Sequence, residues 1–230
     1  MSKYRINVIK SEFELRVLDG GVVVGKYPIA IGERADGKAR IYEEDFRTPG
    51  GDFKVKAVQP QNHRDLCYSN MLYYPYYLAH KFGDPFKDLG KGAYGEGIIV
   101  LNYPQLKDVA NYYRLLESGE IGRDWINFME EKWRKVFEHE SRTRNIPLDK
   151  VVLENECRRG GRFFLEGKTF AELYDSIPPQ PRLHMSIHGT NDPDCIGHKV
   201  SGGCIRLHNQ DIIELIKEFV EVDMLVSIEN

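Results

Sequence analysis

Long apolar runs are missing from this 230-residue chain, so no segment reads as a helix that spans a bilayer. An excess of positive charge is missing too. The 32 lysines and arginines stand against 35 acidic residues, for a net charge of −3, which removes the electrostatic footprint of a nucleic-acid binder. Cysteine is scarce: Cys67, Cys157, Cys195 and Cys204 are the four, irregularly spaced. A chain this long builds its own core, so a disulfide framework is not required. Neither internal repeats nor low-complexity segments occur. The opening MSKYRINVIKSEFELRVLDGG has no apolar stretch followed by a small-residue cleavage site, and it alternates as a strand does. No signal peptide is read there. A cytosolic protein, a non-classical export route and a chain that begins after a removed signal all stay open.

What is present is 41% apolar residues, enough for one sizeable core or one domain carrying a large insertion. The first part reads as β. YRINVI alternates, and FELRVL and VVVG flank Asp19-Gly20-Gly21, a hairpin signal. Phe53 to Ala57 alternates after the turn Thr48-Pro49-Gly50-Gly51, and Gly97 to Leu101 suits a buried strand. The middle changes to helical spacing. Leu106, Val109, Tyr113 and Leu116 predict one helix, stopped near Gly119. Ile126, Met129, Trp133 and Val136 predict a second, capped by Asp124. Thr169 and Glu172 form a capping box, and IPPQPRL (Ile177 to Leu183) breaks regular structure. The end returns to β with His184 to Ile187. A helix follows, capped by Asn209 and carrying Ile212, Ile213, Ile216 and Phe219, and then a strand from Asp223 to Ile228. One domain over 1–230, interrupted by a helical insertion at about 106–181, is the expected organisation.

The chemistry concentrates in VSGGCIRLHN, Val200 to Asn209. Cys204 follows two glycines and precedes Arg206 by two residues, an unusual setting for a structural cysteine. Gly202 and Gly203 clear the approach to the sulfur and let backbone amides turn toward an oxyanion. A free thiol titrates near pH ~8.5 and needs a base or cation to act as a nucleophile at neutral pH. His188, in SIHGTN and sixteen residues earlier, is the best candidate base. Arg206 suits a substrate carboxylate. The Ser201 hydroxyl is suited equally to capping the turn and to lining a site.

His188-Gly189-Thr190, Ser201-Gly202-Gly203-Cys204-Ile205-Arg206-Leu207, Asn209 and Asp211 together resemble the L,D-transpeptidase family, the YkuD-type domain, marked by a histidine and then [S/T]-x-G-C. Arg47-Thr48-Pro49-Gly50-Gly51-Asp52-Phe53 resembles the family's upstream T-P-x-G-x-F turn, and the likeness covers about 3–59 and 182–230. The resemblance implies a mainly β (α+β) fold, a sandwich of mixed sheets with the helical segment inserted. It implies action on peptidoglycan stem peptides in cell-wall biogenesis, in the periplasm or cell wall. Cys204 matches the nucleophile, His188 the general base, and the carbonyl of Gly189 the group that orients it. Arg206, Ser201, Gly203, Gly202, Thr190 and His184 are the positions expected to meet substrate. Many members carry histidine where this chain has Gly202, so any support from that ring is absent. The insertion must also reshape the cleft.

Other readings of these residues exist. His184, His188, Cys195, His198, Cys204 and His208 crowd into twenty-five residues and are all competent zinc ligands. They lack a C-x-x-C pair or an H-x-x-x-H on a helix, so no metal and no cofactor are expected. Gly90 to Gly95 fits G-x-G-x-x-G but lacks a strand before and a helix after, so it reads as a turn-rich loop. The run Leu72 to Tyr77 suits a glycan groove or an edge strand equally. A non-catalytic peptidoglycan-binding domain, a carboxypeptidase and a peptidoglycan-directed toxin are the alternatives in function. The insertion, rich in aromatic and basic residues, is expected to wall or cover Cys204.

Overall fold

The computed structural model describes residues 2–34, 40–41, 45–60, 94–151 and 185–229. Strand β1 (Tyr4–Ile9) alternates as its sequence demands, with Ile6 and Val8 fully buried. β2 (Glu14–Asp19) and β3 (Val22–Pro28) form the expected hairpin. Gly20 and Gly21 make its turn at φ of 56° and 94°, a left-handed conformation that residues with a Cβ rarely adopt. β4 (Ile31–Gly32) is short. β5 (Gly51–Pro60) and β6 (Gly97–Leu101) pair antiparallel, and all five residues of β6 are buried. Helices α1 (Leu106–Glu117) and α2 (Arg123–Arg144) follow. The chain returns through β7 (Ser186–His188), β8 (Lys199–Ser201), β9 (Ile205–Arg206), helix α3 (Asn209–Glu218) and β10 (Leu225–Glu229).

Eight of these strands make one mixed sheet in the order β3-β2-β1-β10-β5-β6-β7-β9, and β4 pairs with β8 in a second, two-stranded sheet. β10 lies between β1, parallel, and β5, antiparallel, so the two ends of the chain meet in mid-sheet. The core takes Ile6, Val8, Leu15 and Val17 from one half of the large sheet and Ile99, Leu101, Ile187 and Ile205 from the other. Ile29 and Ile31 join them, and α3 closes the core with Ile212 and Leu215. Each such side chain contributes about 1.5–3 kcal/mol by leaving water. This is the mixed-sheet, sandwich-like β fold with helices that the sequence led us to expect.

Several boundaries and faces differ from expectation. The strand predicted over His184 to Ile187 runs from Ser186 to His188, and His184 lies outside the described residues. The last strand starts at Leu225, because Asp223 sits at φ 68° in the preceding turn. In α1 the buried residues are Tyr112 and Leu115, which cluster with Ile121, whereas Leu106 is 90% exposed. Tyr113 and Leu116 only flank that cluster. The N-cap of α2 is Gly122, and Asp124 falls inside the first turn, where its charge still complements the helix dipole. The side chains expected on its inner face (Ile126, Met129, Trp133 and Val136) lie outside the described residues. So do Thr169, Glu172, Ile177 to Leu183, and the run Leu72 to Tyr77. Of the glycine-rich stretch, Tyr94 and Gly95 are described, in a turn that leads directly into β6.

Candidate functional site

β7 and β9 lie side by side and parallel, with Ile187 opposite Ile205 and His188 opposite Arg206. Both isoleucines are fully buried in the core. Side chains alternate along a strand, so Ser186 and His188 share the other face of β7. The sulfur of Cys204, the residue before β9, lies 3.4 Å from the Ser186 hydroxyl oxygen, which donates to it. Cys204 is half-buried and forms no disulfide among the described residues.

His188 is 3% exposed, and its Nδ1 lies 2.6 Å from the carbonyl oxygen of Gly189. A carbonyl only accepts, so Nδ1 carries a proton, and in the neutral ring the lone pair therefore lies on Nε2, the form a base requires. The ring of Tyr94 meets the imidazole edge-on, with centroids 4.8 Å apart. Gly189 is fixed by close approach: a Cβ there would sit 2.3 Å from Asn209 Oδ1 and 2.9 Å from the Glu96 nitrogen. Asn209 was expected to cap α3. The N-cap is instead His208, and Asn209 Oδ1 accepts from the backbone amides of Glu96 and Thr190, each at 3.1 Å. These bonds tie the turn bearing Tyr94 to the segment bearing His188.

The Ser201 hydroxyl closes its own turn. It donates to the Cys204 carbonyl at 2.5 Å and accepts from the Gly203 amide at 3.1 Å. The Gly203 N–H, expected to face an oxyanion, is therefore already taken. Gly202 is half-buried beside it. Thr190 is buried, and its hydroxyl accepts from the Asp192 amide at 3.1 Å and donates to the Asp192 carbonyl at 3.3 Å, a local turn bond. Arg206 is 8% exposed. Its backbone exchanges hydrogen bonds with Ala30, while its Nε has no hydrogen-bond partner among the described residues. An unpartnered N–H on a buried guanidinium is a charged donor that an anionic oxygen can satisfy.

Sequence reasoning missed a second layer. Thr48 donates from Oγ1 to the Gly203 carbonyl at 3.0 Å and accepts from the Gly32 amide at 2.8 Å. Gly203 itself sits at φ 120°, and a Cβ there would lie 2.6 Å from both Arg40 Nη1 and the Arg47 carbonyl oxygen. The loop that supplies these groups is organised by Asp45. This fully buried carboxylate accepts from the Ile41 amide at 2.7 Å and the Arg47 amide at 3.0 Å, with guanidinium nitrogens of Arg47 at 3.4 Å and Arg40 at 3.9 Å. A buried charge needs such compensation. Tyr103 donates its hydroxyl to the Arg40 carbonyl at 3.2 Å, and burial pushes its phenol well above the ordinary tyrosine range. The Thr48-Pro49 turn was visible in the sequence. The Arg40–Asp45–Arg47 contacts carry no sequence signal.

Among the described residues, no group of three or more His, Cys, Asp or Glu side chains converges as a metal site. Cys195 is buried, His198 exposed and His208 half-buried. No helix of the described residues is long and apolar enough to cross a membrane.

Residues 3–228 match the family model described as the YkuD L,D-transpeptidase catalytic domain. The chain is 66% identical over 80 residues to the putative L,D-transpeptidase YkuD of Bacillus subtilis (strain 168), a match covering 32% of this chain and 45% of that one. It is 62% identical over 49 residues to the putative L,D-transpeptidase YkuD of Bacillus licheniformis, covering 21% and 28%. The chain thus spans less than half the length of these curated relatives in the matched regions. Among solved structures, it aligns over its whole length with 61% of L,D-transpeptidase 3 from Mycobacterium tuberculosis, at 10% identity and a TM-score of 0.44.

Proposed function

The chain belongs to the L,D-transpeptidase family, and on that premise we propose that it is a cysteine-dependent acyltransferase acting on peptidoglycan stem peptides. The observation that carries the reading is the shared face of β7. It brings Ser186 into contact with the Cys204 sulfur and sets His188, with Nδ1 anchored, two residues further on. His188 Nε2 takes the thiol proton. The sulfur then attacks the carbonyl of the third, L-configured diamino acid. As the bond to the terminal D-alanine breaks, the imidazolium returns the proton to the leaving amine. An amine of a second stem peptide takes the acyl group, and His188 accepts the proton that this amine loses. With water in place of the amine, the same acyl-enzyme gives carboxypeptidase activity.

Arg206 holds a carboxylate of the donor peptide. Gly202 keeps the approach to the sulfur open, Gly203 lets the Arg40 and Arg47 loop pack close, and Ser201 and Thr190 hold the two segments in shape. The protein works in the periplasm or cell wall.

Incubation with purified tetrapeptide muropeptides, with products identified by mass, tests the reading. Loss of D-alanine together with a crosslinked or hydrolysed product is expected. Cys204→Ala abolishes turnover with an unchanged melting temperature, and His188→Ala removes most of it. Turnover in Cys204→Ala overturns the mechanism. Peptide binding without turnover by the unsubstituted protein indicates the non-catalytic alternative.

A further inference from the structure

We propose that Ser186 is a further catalytic residue, one that holds the Cys204 thiolate through a hydrogen bond to its sulfur. The proposal rests on the reading of Cys204 as the nucleophile. Ser186 Oγ donates to Sγ across 3.4 Å, an ordinary length for a hydrogen bond to sulfur. The serine is fully buried, so water does not compete for that hydroxyl. It sits on the strand next to the edge of the sheet, between β6 and β9, with Val100 in register on one side and Ile187 leading directly to His188. The strand therefore fixes where the hydroxyl points relative to both sulfur and imidazole. A thiol is a weak acceptor and a thiolate a strong one, so the bond strengthens when the proton leaves for His188.

That bond has a second effect at the end of the cycle. When the acyl group leaves, the C–S electron pair returns to sulfur as a thiolate, and the Ser186 hydroxyl again meets a full negative charge. In the thioester between these steps the sulfur is a poor acceptor. The hydroxyl thus interacts more strongly with both thiolate states than with the acyl-enzyme that separates them. This separates its role from that of Ser201, whose hydroxyl is occupied by the Cys204 carbonyl and the Gly203 amide.

The test is alkylation of Cys204 by iodoacetamide across pH, in the full chain and in Ser186→Ala and Ser186→Thr. The charged and titrating groups of the surrounding elements are His188 on β7, Arg206 on β9, Tyr94 and Glu96 in the turn before β6, and Arg40, Asp45 and Arg47 in the loop on Gly203. None of them is altered in these variants. Loss of one hydrogen bond to a charged group shifts the alkylation midpoint upward by about one pH unit. Below the midpoint, the thiolate fraction then falls about tenfold. The more basic sulfur recovers roughly threefold in reactivity, for a net loss of about threefold. Ser186→Thr keeps the donor and is expected to restore the midpoint. With tetrapeptide, Ser186→Ala is expected to lower kcat and leave KM unchanged.

An unshifted midpoint in Ser186→Ala overturns the proposal. So does a shift that Ser186→Thr fails to correct while its melting temperature matches the unsubstituted protein. If Ser186→Thr does not fold, Ser186→Ala alone decides on the midpoint and on the kcat against KM split. A midpoint shift in Ser186→Ala, together with an unsubstituted protein that leaves tetrapeptide untouched, upholds the serine and sinks the substrate reading instead.

Discussion

The side-chain oxygen of Asn209 lies 3.1 Å from the backbone nitrogen of Thr190 and takes the amide of Glu96 at the same distance. One carboxamide thereby fixes the segment after His188 against the turn that carries Tyr94. The crowding is tight enough that Gly95 is also required, since a Cβ there would lie 2.1 Å from the same oxygen. Asn209→Ala leaves two partly buried amides unsatisfied, at a cost of about 1–3 kcal/mol each at most. Its expected effect is a lower melting temperature and a drop in turnover, because the imidazole loses its packing. Asn209→Asp keeps an acceptor and is expected to recover most of the melting temperature. Equal losses in the two variants would show that the oxygen is not what matters.

Arg206 gives a second prediction. Its position opposite His188 and its buried Nε, unpartnered among the described residues, suit it to a substrate carboxylate. Arg206→Ala is expected to reduce turnover of stem peptides by tenfold or more, in line with the roughly 1.5–3 kcal/mol of a charged hydrogen bond. Alkylation of Cys204 by a small neutral reagent has no carboxylate to hold and is expected to change far less. Comparable losses in both assays would make the arginine structural.

The motif residues were legible for a physical reason. His188 ends β7 and Cys204 directly precedes β9, its neighbour at one edge of the sheet, and alternation along β7 places His188 on the same face as Ser186, whose hydroxyl meets the sulfur. The β2–β3 hairpin and the extent of α1 were legible because their turns and periodicity are local. The partners of the site were not. Ser186 reads as any small strand residue until β7 and β9 are paired. Asn209 satisfies every rule for an N-cap, and only the proximity of Glu96 and Thr190 diverts its side chain. Arg40 and Arg47 gain their meaning from contacts across more than 150 residues of chain, with Gly203. The α1 face was misjudged because Tyr112 and Leu115 bury against a loop, through Ile41, and not against the main sheet.

Tyr103 links stability to pH. Burial raises its phenol above the ordinary value of ~10, and burial followed by Glu214 does the same for Tyr27. Above pH ~10 the unfolded chain sheds these protons while the folded chain keeps them. The unfolded state then binds fewer protons, so stability is intact below pH ~10 and falls as pH rises beyond it, by at most about 1.4 kcal/mol per pH unit for each group. Tyr103→Phe removes one of these two slopes. It also removes the bond to the Arg40 carbonyl, costing about 1 kcal/mol at neutral pH. Urea unfolding from pH 7 to 11 checks both. An alkaline slope as steep in Tyr103→Phe as in the unsubstituted protein would mean this phenol is not a source of it.

The last prediction concerns the helical segment. α1 packs Tyr112, Leu115 and Ile121 with Ile41, the neighbour of Arg40. Arg40 in turn lies against Gly203, beside the sulfur-bearing residue. Tyr103, just before α1, reaches the same arginine's carbonyl. We propose that the segment from about 106 to 181 is an insertion that acts on the cleft through this loop. Through Ile41 and Arg40, α1 steadies the Ser201–Cys204 turn, which favours transfer to an amine over loss to water. Replacing it with a short Gly-Ser linker, in a variant shown to fold by circular dichroism, is expected to raise the ratio of hydrolysed to crosslinked product and to open Cys204 to bulky thiol reagents. The milder Leu115→Ala loosens the contact with Ile41 and is expected to move both readouts the same way by a smaller amount. If both stay unchanged in both variants, the helices are remote from the chemistry and the loop holds Arg40 without them.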